Sequence, residues 1–222
     1  MILSTESDCV QPGQTDYKCH WDRAYLKVPS EKLGWYETHS EPSLSLIKEL
    51  ELSKAARILN IGSGSSTILD DLVALGYSQL IASDISTNAL EILQNRLGLR
   101  GKNVQYIEDD LTQSKKLIQL KEIDLWNDRA VLHFFVNEKD RKAYINLLHT
   151  LVREGAYVII AVFAKEGAVK CCGLDVVPYD VEMIQELLGA DFELQKSFKY
   201  TYTNPNGHLR PYIYTLFKRT AA

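Results

Sequence analysis

The strongest constraint on the fold is a glycine turn between an apolar strand and the start of a helix. The run Arg57–Leu69 reads Arg-Ile-Leu-Asn-Ile-Gly-Ser-Gly-Ser-Ser-Thr-Ile-Leu. Gly62 and Gly64 let a ligand lie against the main chain, and a helix starting near Ser65 presents unpaired N–H groups and a positive dipole end to it. Asp84 ends the next apolar run, about 20 residues later, where a βαβ unit places a carboxylate beside an adenosine ribose. The combination predicts a nucleotide-binding βαβ unit.

The spacing of the turn distinguishes two classes of nucleotide site. A dinucleotide fingerprint requires a third glycine at position 67, where this chain has Thr67. An acidic residue followed by x-Gly-x-Gly-x-Gly is instead the spacing of the Rossmann-like S-adenosylmethionine (SAM) methyltransferases. That spacing fits positions 60 to 66 with two departures, because Asn60 replaces the acid and Ser66 replaces the third glycine. Asn60 can still accept a hydrogen bond from an ammonium group, so the motif favours SAM over NAD.

A second motif carries a resemblance to a known family. Residues 126–134 read Trp-Asn-Asp-Arg-Ala-Val-Leu-His-Phe. This run resembles the Trp-His-Asp-Arg-Ala-Val-Phe-His-Phe sequence of a bacterial branch of the class I SAM-dependent methyltransferases, the methyltransferase type 12 kind, with Asn127 in place of the first histidine. The likeness extends to Gly34-Trp-Tyr-Glu37 and Cys171-Cys-Gly-Leu174. It covers most of the chain.

The resemblance implies an α/β fold of the Rossmann-like class I methyltransferase type. Such a fold has a seven-stranded, mostly parallel sheet that ends in a C-terminal antiparallel hairpin. The implied cofactor is SAM, and the product is S-adenosylhomocysteine (SAH). The resemblance leaves the acceptor open, because neighbouring branches methylate lysines, thiols or small carboxylic acids.

The hydrophobic pattern agrees with a parallel sheet, since apolar runs alternate with helix-periodic stretches. We predict strands at 56–61, 79–83, 103–107, 122–126 and 155–163. We predict helices at 66–75, 86–97, 138–153 and 180–188, with Ser86 and Asn137 as N-caps. The alternating runs 191–203 and 209–218, joined by turn residues, predict the hairpin.

The chain is expected to form a single domain. Residues 1–16 are predicted to be a flexible tail, and residues 17–222 the domain, whose first part, 17–55, forms a helical lid. Trp21, Tyr25 and Trp35 concentrate aromatic rings in that lid, and aromatic faces attract a cation such as a sulfonium. The alternative is that these rings only anchor the N-terminal helices to the sheet.

The cofactor is expected in the crevice at the carboxyl ends of the strands. There Asp84 accepts from both ribose hydroxyls or, alternatively, only caps the next helix. Asp110 is preferred over Asp109 as the acceptor for the adenine amino group, because Asp110-Leu-Thr112 matches the family pattern. The Leu111 amide could then donate to the adenine ring. The alternative is that Asp109 and Asp110 only cap a helix on a solvated loop. The other expected cofactor-binding residues are Asn60, Gly62, Ser63, Gly64, Ile85, Asp109, Asn127, Trp21, Tyr25 and Trp35.

Candidate catalytic residues follow the fourth strand. Methyl transfer is an in-line displacement, so alignment and exclusion of water are the main tasks of the enzyme. Asp128 is the candidate to orient or deprotonate the acceptor, with Arg129 beside it, although a salt bridge between the two or a helix cap explains Asp128 equally well. His133 is a weaker candidate base, because a histidine on an apolar turn is more often part of the core. Cys171 and Cys172 either line the acceptor pocket or pack as small hydrophobic side chains.

Composition excludes several classes of function. The 222 residues carry a net charge of −4, which gives no general attraction to nucleic acid or to an anionic membrane. The longest apolar run, 156–164, has the length of a strand. The four cysteines match no zinc spacing, so no metal is expected and a reducing cytoplasm is the simplest location.

The sequence thus predicts a cytoplasmic SAM-dependent methyltransferase with direct in-line methyl transfer. A small-molecule acceptor is slightly favoured, because only the lid and an insertion around 165–178 remain to build a substrate wall. A protein lysine is the alternative acceptor. Two other classes stay open: an NAD-dependent oxidoreductase, disfavoured by Thr67, and a non-catalytic SAM-binding regulatory protein, which Asn60 and Asn127 leave possible.

Overall fold

The computed structural model describes residues 10–11 and 14–220. Its strands are β1 (Val10–Gln11), β2 (Gln14–Thr15), β3 (Arg57–Ile61), β4 (Gln79–Asp84), β5 (Gln105–Glu108), β6 (Ile123–Arg129), β7 (Val152–Phe163), β8 (Lys170–Cys171), β9 (Leu174–Asp175), β10 (Phe192–Thr203) and β11 (Leu209–Arg219). Its α-helices are α1 (Tyr17–Lys27), α2 (Glu41–Glu49), α3 (Ile68–Ala74), α4 (Thr87–Leu97), α5 (Glu138–Leu151) and α6 (Val181–Leu188). No helix within these described residues is long and apolar enough to span a membrane.

The main sheet of the described residues has seven strands in the order β10-β11-β7-β6-β3-β4-β5. Strands β3 to β7 are parallel to one another, and β11 is antiparallel to both β7 and β10. The antiparallel strand is therefore inserted next to β7. The predicted Rossmann-like methyltransferase fold with a C-terminal hairpin is confirmed.

Local hydrogen bonds explain where the helices begin. Ser86 accepts from the Ala89 N–H and Asn137 accepts from the Asp140 N–H, as predicted for both N-caps. Helix α3 begins at Ile68, two residues later than expected, because Ser66 still belongs to the preceding turn: its N–H donates to the Ser63 carbonyl, and its hydroxyl accepts from the Ile68 N–H.

Strand β6 is longer than predicted. It continues to Arg129 because Asp128 is in register with Ile61 of β3 and with Ile160 of β7. Strand β7 likewise begins at Val152, three residues earlier than expected, because Val152 pairs with Ile123 at the other end of β6. Pairing on both sides therefore lengthens strands that look shorter in the sequence.

The tail predicted for residues 1–16 lies largely outside the described residues. Within it, β1 pairs antiparallel with β2. The Asp16 carboxylate then accepts from the Cys19 N–H at 2.9 Å and caps α1.

Side-chain alternation along the strands builds a core on each face of the sheet. On β7, Ile159 and Ala161 pack with the face that holds α2, α3 and α4, whereas Val158, Ile160 and Val162 pack with the face that holds α5 and α6. Because both faces are covered, β7 reads as a continuous apolar run and not as an alternating one.

A hydrogen-bonded cluster lies within the α5 face. Trp126, Asp128 and Tyr144 are all fully buried there. The Tyr144 hydroxyl donates to Asp128 Oδ2 at 2.8 Å and accepts from Trp126 Nε1 at 3.1 Å. This hydroxyl therefore joins the end of β6 to helix α5.

We expect Tyr144→Phe to lower the free energy of unfolding by about 1–3 kcal/mol, because it leaves a buried indole N–H and a buried carboxylate oxygen each short of a partner. Urea denaturation followed by circular dichroism measures the change. Tyr157→Phe is the matched control, since the Tyr157 hydroxyl has no hydrogen-bond partner within the described part of the chain and its ring still packs under Lys218. Equal stability of the Tyr144→Phe variant and the control variant would show that the hydroxyl contributes nothing.

Candidate functional site

A cavity of about 300 Å³ lies at the carboxyl ends of the parallel strands. The loops after β3, β4, β5 and β6 form one side of it, and α1 with the segment that follows it forms a second side. The loop after β7 and the turn between β10 and β11 form the third. A smaller cavity of about 40 Å³ shares Tyr25, Trp35, Gly62 and Arg129 with it.

Most of the residues predicted from the sequence border these two cavities. The larger cavity is lined by Trp21, Tyr25, Trp35, Gly62, Asp84, Ile85, Asp109, Asp110, Leu111 and Arg129. The smaller cavity adds Asn60, Ser63 and Asn127. Three predicted residues, Gly64, Asp128 and His133, line neither.

The glycine loop is held tightly from both sides. Gly62 and Gly64 have φ values of +49° and +51°, a region that L-residues rarely adopt. A Cβ at Gly62 would collide with Val131, and one at Gly64 would collide with the Tyr25 hydroxyl. Glycine is required at both positions because neighbouring side chains already occupy that space.

Asp84 is the best-placed carboxylate of the larger cavity. Its Oδ2 accepts from the Gly64 N–H at 2.7 Å, and its Oδ1 accepts from the Ser86 N–H at 2.8 Å. Burial raises the pKa of Asp84 to about 6, and these two N–H groups offset part of the rise. A carboxylate has about four acceptor sites, so each oxygen retains capacity for one more donor. The group can therefore accept from two adjacent hydroxyls.

Asn127 carries an unsatisfied acceptor beside the smaller cavity. Its amide nitrogen donates to Asn60 Oδ1, and the amide nitrogen of Asn60 donates to Ser63 Oγ at 3.1 Å. Asn127 Oδ1 is buried and has no hydrogen-bond partner among the described residues. An unmet buried acceptor at this position suits a ligand with an N–H donor, such as an ammonium group.

The two aspartates after β5 are in different environments. Asp109 caps the turn that follows it, because its oxygens accept the N–H groups of Lys115, Lys116 and Leu117. Asp110 Oδ1 accepts from both the N–H and the hydroxyl of Thr112 at 2.8 Å, in a local turn that leaves Oδ2 without a partner within the described chain. Asp110 thus has more capacity for a ligand than Asp109.

Strand alternation places Asp128 away from the cavities, contrary to the expectation that it faces the acceptor. Besides Tyr144, its oxygens accept the N–H groups of Val131 and Leu132 at 2.9 and 3.0 Å, so it caps the turn after β6. Burial raises the pKa of Asp128 to about 7, although these hydrogen bonds oppose the rise. The position of Asp128 therefore corresponds to the alternative interpretation, in which its carboxylate is a cap and not a group that contacts the acceptor.

His133 is also part of the core, as its alternative interpretation anticipated. Its ring packs against Phe134 and Phe163, with centroids 4.6 and 4.5 Å away. Burial, together with the positive charge of Arg129, lowers the pKa of His133 to about 3. The ring is therefore neutral at physiological pH.

Arg129 lines both cavities and forms an ion pair with Glu37. Its Nε lies 3.0 Å from Glu37 Oε2, and its Nη1 donates to the Trp35 carbonyl at 3.2 Å. The guanidinium also lies 5.2 Å from the ring centroids of both Tyr202 and Tyr212. It thus joins the N-terminal segment, β6 and the C-terminal hairpin.

Helix α1 is docked on the loop that follows Asp84. Asp22 accepts from the Ser86 hydroxyl at 2.7 Å, and Lys18 donates to Thr87 Oγ1 at 2.8 Å. This docking holds Trp21 and Tyr25 at the cavity, where the Trp35 indole donates to the Tyr25 hydroxyl at 3.1 Å.

The sequence did not predict most of the residues on the third side of the larger cavity. That side consists of Lys170, Cys171, Cys172, Asn204, Asn206, His208, Arg210 and Tyr212, of which only the cysteines were considered. Asn204 was read as part of a turn, and it is one: its Oδ1 accepts from the N–H groups of Asn206 and His208. Only the insertion of β11 beside β7 brings this turn to the cavity.

The arrangement fits a nucleoside that carries an amino acid. The site offers a carboxylate with capacity for a diol, an unmet acceptor for an ammonium, and aromatic rings that attract a cation. These groups border the two cavities where β3, β4 and β6 end.

Known proteins agree with this interpretation. Residues 58–155 match a family model described as a methyltransferase domain. The EEF1A lysine methyltransferase 2 of Danio rerio is 28% identical over 210 residues, which cover 86% of each chain.

Solved structures show the same fold. A SAM-dependent methyltransferase from Anabaena variabilis superimposes with a TM-score of 0.71 at 14% identity, covering 91% of this chain and 93% of the other. The 1,6-didemethyltoxoflavin-N1-methyltransferase of Burkholderia thailandensis, solved with SAH, superimposes with a TM-score of 0.62 at 19% identity, covering 82% and 78%. The sheet order, the domain match and the curated relative agree, and the chain is a SAM-dependent methyltransferase with the class I fold.

Proposed function

We propose that the chain transfers the methyl group of SAM to the ε-amino group of a lysine in a protein. The observation that carries the proposal is the likeness to the EEF1A lysine methyltransferase 2 of Danio rerio, because it covers 86% of both chains. Because it covers 86% of this chain, that alignment must extend beyond the methyltransferase-domain match at 58–155 and include the loop of Cys171 and Cys172.

The residues proposed to hold the cofactor follow from their free hydrogen-bonding capacity. Asp84 would accept from the ribose hydroxyls, Asn127 Oδ1 from the ammonium group, and Asp110 from the adenine amino group. When bound, SAM supplies a methyl group on a positively charged sulfur. The rings of Trp21 and Trp35 would stabilise that charge and exclude water.

The sheet order separates the cofactor and acceptor ends of the cavity. Strands β4 and β5 place Asp84 and Asp110 on one side of β3, and β6 places Asn127 directly on its other side, whereas β7, β11 and β10 lie farther along the sheet beyond β6. The acceptor would therefore enter beside Cys171 and the hairpin turn. Aromatic rings of Phe163 and Tyr212 border that end and suit the apolar stem of a lysine.

A lysine must lose its proton before it attacks the methyl group, and an unpaired cation beside the acceptor would promote that loss. Lys170 pairs with Asp175 at 3.3 Å, and Arg129 pairs with Glu37. Arg210 is partly buried and has no ion-pair partner within the described residues. A nearby unpaired cation lowers the pKa of an incoming ammonium and so favours the neutral amine, without a base at Asp128 or His133.

A small anionic molecule is the second candidate acceptor, because the same unpaired Arg210 can bind a carboxylate. It corresponds to the small-molecule acceptor favoured by the sequence. The two candidates differ in what Arg210 does, and this difference can be measured.

We expect Asp84→Ala to weaken SAH binding at least about tenfold, or about 1.4 kcal/mol, because charge-assisted hydrogen bonds to the ribose are lost. Titration calorimetry measures the affinity. Asp175→Ala is the control, since Asp175 is an exposed carboxylate outside both cavities. If the folded Asp84→Ala variant binds as tightly as the control, Asp84 does not hold the cofactor.

SAH affinity should also depend on pH through the same group. Ribose hydroxyls donate to the ionised carboxylate, so below the Asp84 pKa of about 6 binding must first release a proton. The dissociation constant is therefore expected to rise between pH 7 and pH 5, approaching about tenfold for each unit below 6. Asp84→Asn should bind weakly but with a flat profile over this range. A wild-type profile as flat as that of the variant would contradict the assignment.

The acceptor class can be tested with SAM carrying a labelled methyl group and a cell extract separated by ultrafiltration into protein and low-mass fractions. The proposal expects label in the protein fraction, on lysines that carry added methyl groups by mass spectrometry. Label confined to the low-mass fraction would overturn it and support the small-molecule acceptor.

Arg210→Gln distinguishes the two roles of this side chain. With a lysine acceptor, the pH–rate profile of methyl transfer is expected to shift upward by about one unit, because the acceptor amine loses a cationic neighbour. With an anionic acceptor, KM would rise and the profile would keep its position. Arg100→Gln, a surface substitution outside both cavities, is the control and should change neither quantity.

A further inference from the structure

Two adjacent thiols lie in the wall of the larger cavity. Cys171 and Cys172 both line it, and their sulfur atoms are 3.8 Å apart. Cys171 is partly buried and Cys172 is exposed, so a small solute can reach the pair. Neither the cofactor site nor the proposed acceptor chemistry requires two thiols at this position.

The hairpin that carries them holds Cys172 in an unfavourable conformation. Strands β8 and β9 pair Cys171 with Leu174, which leaves Cys172 and Gly173 as a two-residue turn. Both turn residues have positive φ, +52° and +79°, as a type I′ turn requires. Asparagine or glycine is the usual residue at the first of these positions, and a cysteine there is disfavoured. An unfavourable residue at a cavity wall points to a role for its side chain.

A hydrogen bond and two neighbouring positive charges lower the pKa of one thiol of the pair. The hydrogen bond with Cys172 lowers the pKa of Cys171, and the positive charges of Arg210 and Arg129 act in the same direction, against the effect of burial. Hydrogen bonding with Cys171 raises the pKa of Cys172. Because the charge of Arg210 acts on both thiols whereas that of Arg129 acts on Cys171 alone, we assign Cys171 as the nucleophile and Cys172 as the thiol that can resolve an oxidised form of it.

We propose that Cys171 and Cys172 are a redox modification site, at which hydrogen peroxide converts the two thiols into a reversible disulfide. In the first step the Cys171 thiolate attacks a peroxide oxygen: a sulfur–oxygen bond forms, the oxygen–oxygen bond breaks, and hydroxide leaves. In the second step the Cys172 sulfur attacks the resulting sulfenic acid: the disulfide forms, the sulfur–oxygen bond breaks, and the oxygen leaves as water. The hydroxide takes up the proton that Cys171 lost on ionising, so hydrogen peroxide is reduced to two molecules of water while the sulfurs lose two electrons in total.

The bond so formed is expected to be easily reduced. Adjacent Cα atoms are about 3.8 Å apart, below the range of about 4.4–6.8 Å usual for disulfides, and such strain makes a disulfide more reducible. Closing it also draws the two sulfurs together from 3.8 Å and displaces the cavity wall at the acceptor end. Oxidation is therefore expected to lower methyl transfer roughly tenfold or more by misplacing the acceptor.

Peptide mapping tests the site independently of the acceptor. Trypsin cleaves after Lys170 and Lys196 and releases residues 171–196, in which Cys171 and Cys172 are the only cysteines. After treatment of the full chain with hydrogen peroxide and alkylation, this peptide should carry no alkyl group and be two hydrogen atoms lighter than the dithiol. Dithiothreitol before alkylation should restore two alkyl groups. A peptide that stays fully alkylated after peroxide, or that is linked to another cysteine, would overturn the proposal.

Cys172→Asn is the matched variant, because asparagine suits the positive φ at this position and removes only the resolving thiol. Peroxide should then leave a sulfenic acid at Cys171 that dimedone labels. Retained SAH binding shows that the variant is folded, and absence of dimedone labelling in the folded variant would contradict the assigned order of attack.

Methyl transfer to total cell extract, measured after the peroxide is removed, should fall in the wild type, recover with dithiothreitol, and fall less in the variant. An equal, irreversible loss in both proteins would show that the disulfide does not control activity.

Discussion

A buried ion pair between Arg129 and Glu37 joins parts of the site that are far apart in the sequence. Glu37 belongs to the segment between α1 and α2, Arg129 ends β6, and the rings of Tyr202 and Tyr212 beside the guanidinium come from the hairpin. Both side chains are almost fully buried, so removing one partner would leave an unpaired buried charge at a cost of about 3–5 kcal/mol. The N-terminal segment, the sheet and the hairpin are therefore held in one arrangement around the cavities.

The four residues at the end of β6 have distinct roles because they alternate between two faces of the sheet. Trp126 and Asp128 reach the α5 face, where Tyr144 binds both. Asn127 and Arg129 lie on the other face and border the cavities. One strand thus supplies structural groups to the core and polar groups to the site, with no residue serving both faces.

This separation suits a displacement reaction that depends on alignment. The proposed cofactor residues have spare hydrogen-bonding capacity, whereas the ionisable groups once considered as bases are buried and engaged elsewhere. In the proposed function, the unpaired Arg210 takes the place of a general base by disfavouring a protonated acceptor amine. Oxidation of the adjacent thiols of Cys171 and Cys172 would change the side of the cavity where the acceptor is proposed to enter, and it would leave the cofactor contacts of Asp84 unchanged.

The sequence by itself determined the βαβ unit, the two helix caps and the residues of the glycine loop, and the family resemblance implied the seven-stranded sheet with its C-terminal hairpin. These depend on local periodicity, on turn chemistry and on a motif of short range. The placement of Asp128 was also within reach, because Trp126 two residues earlier shares its face of the strand. Only the tertiary structure decided that the hairpin turn and the Cys171 loop meet the cofactor loops across one cavity. That meeting depends on the insertion of β11 between β7 and β10 and on the pairing of Arg129 with Glu37, contacts between residues about 50 to 90 positions apart that no local pattern records.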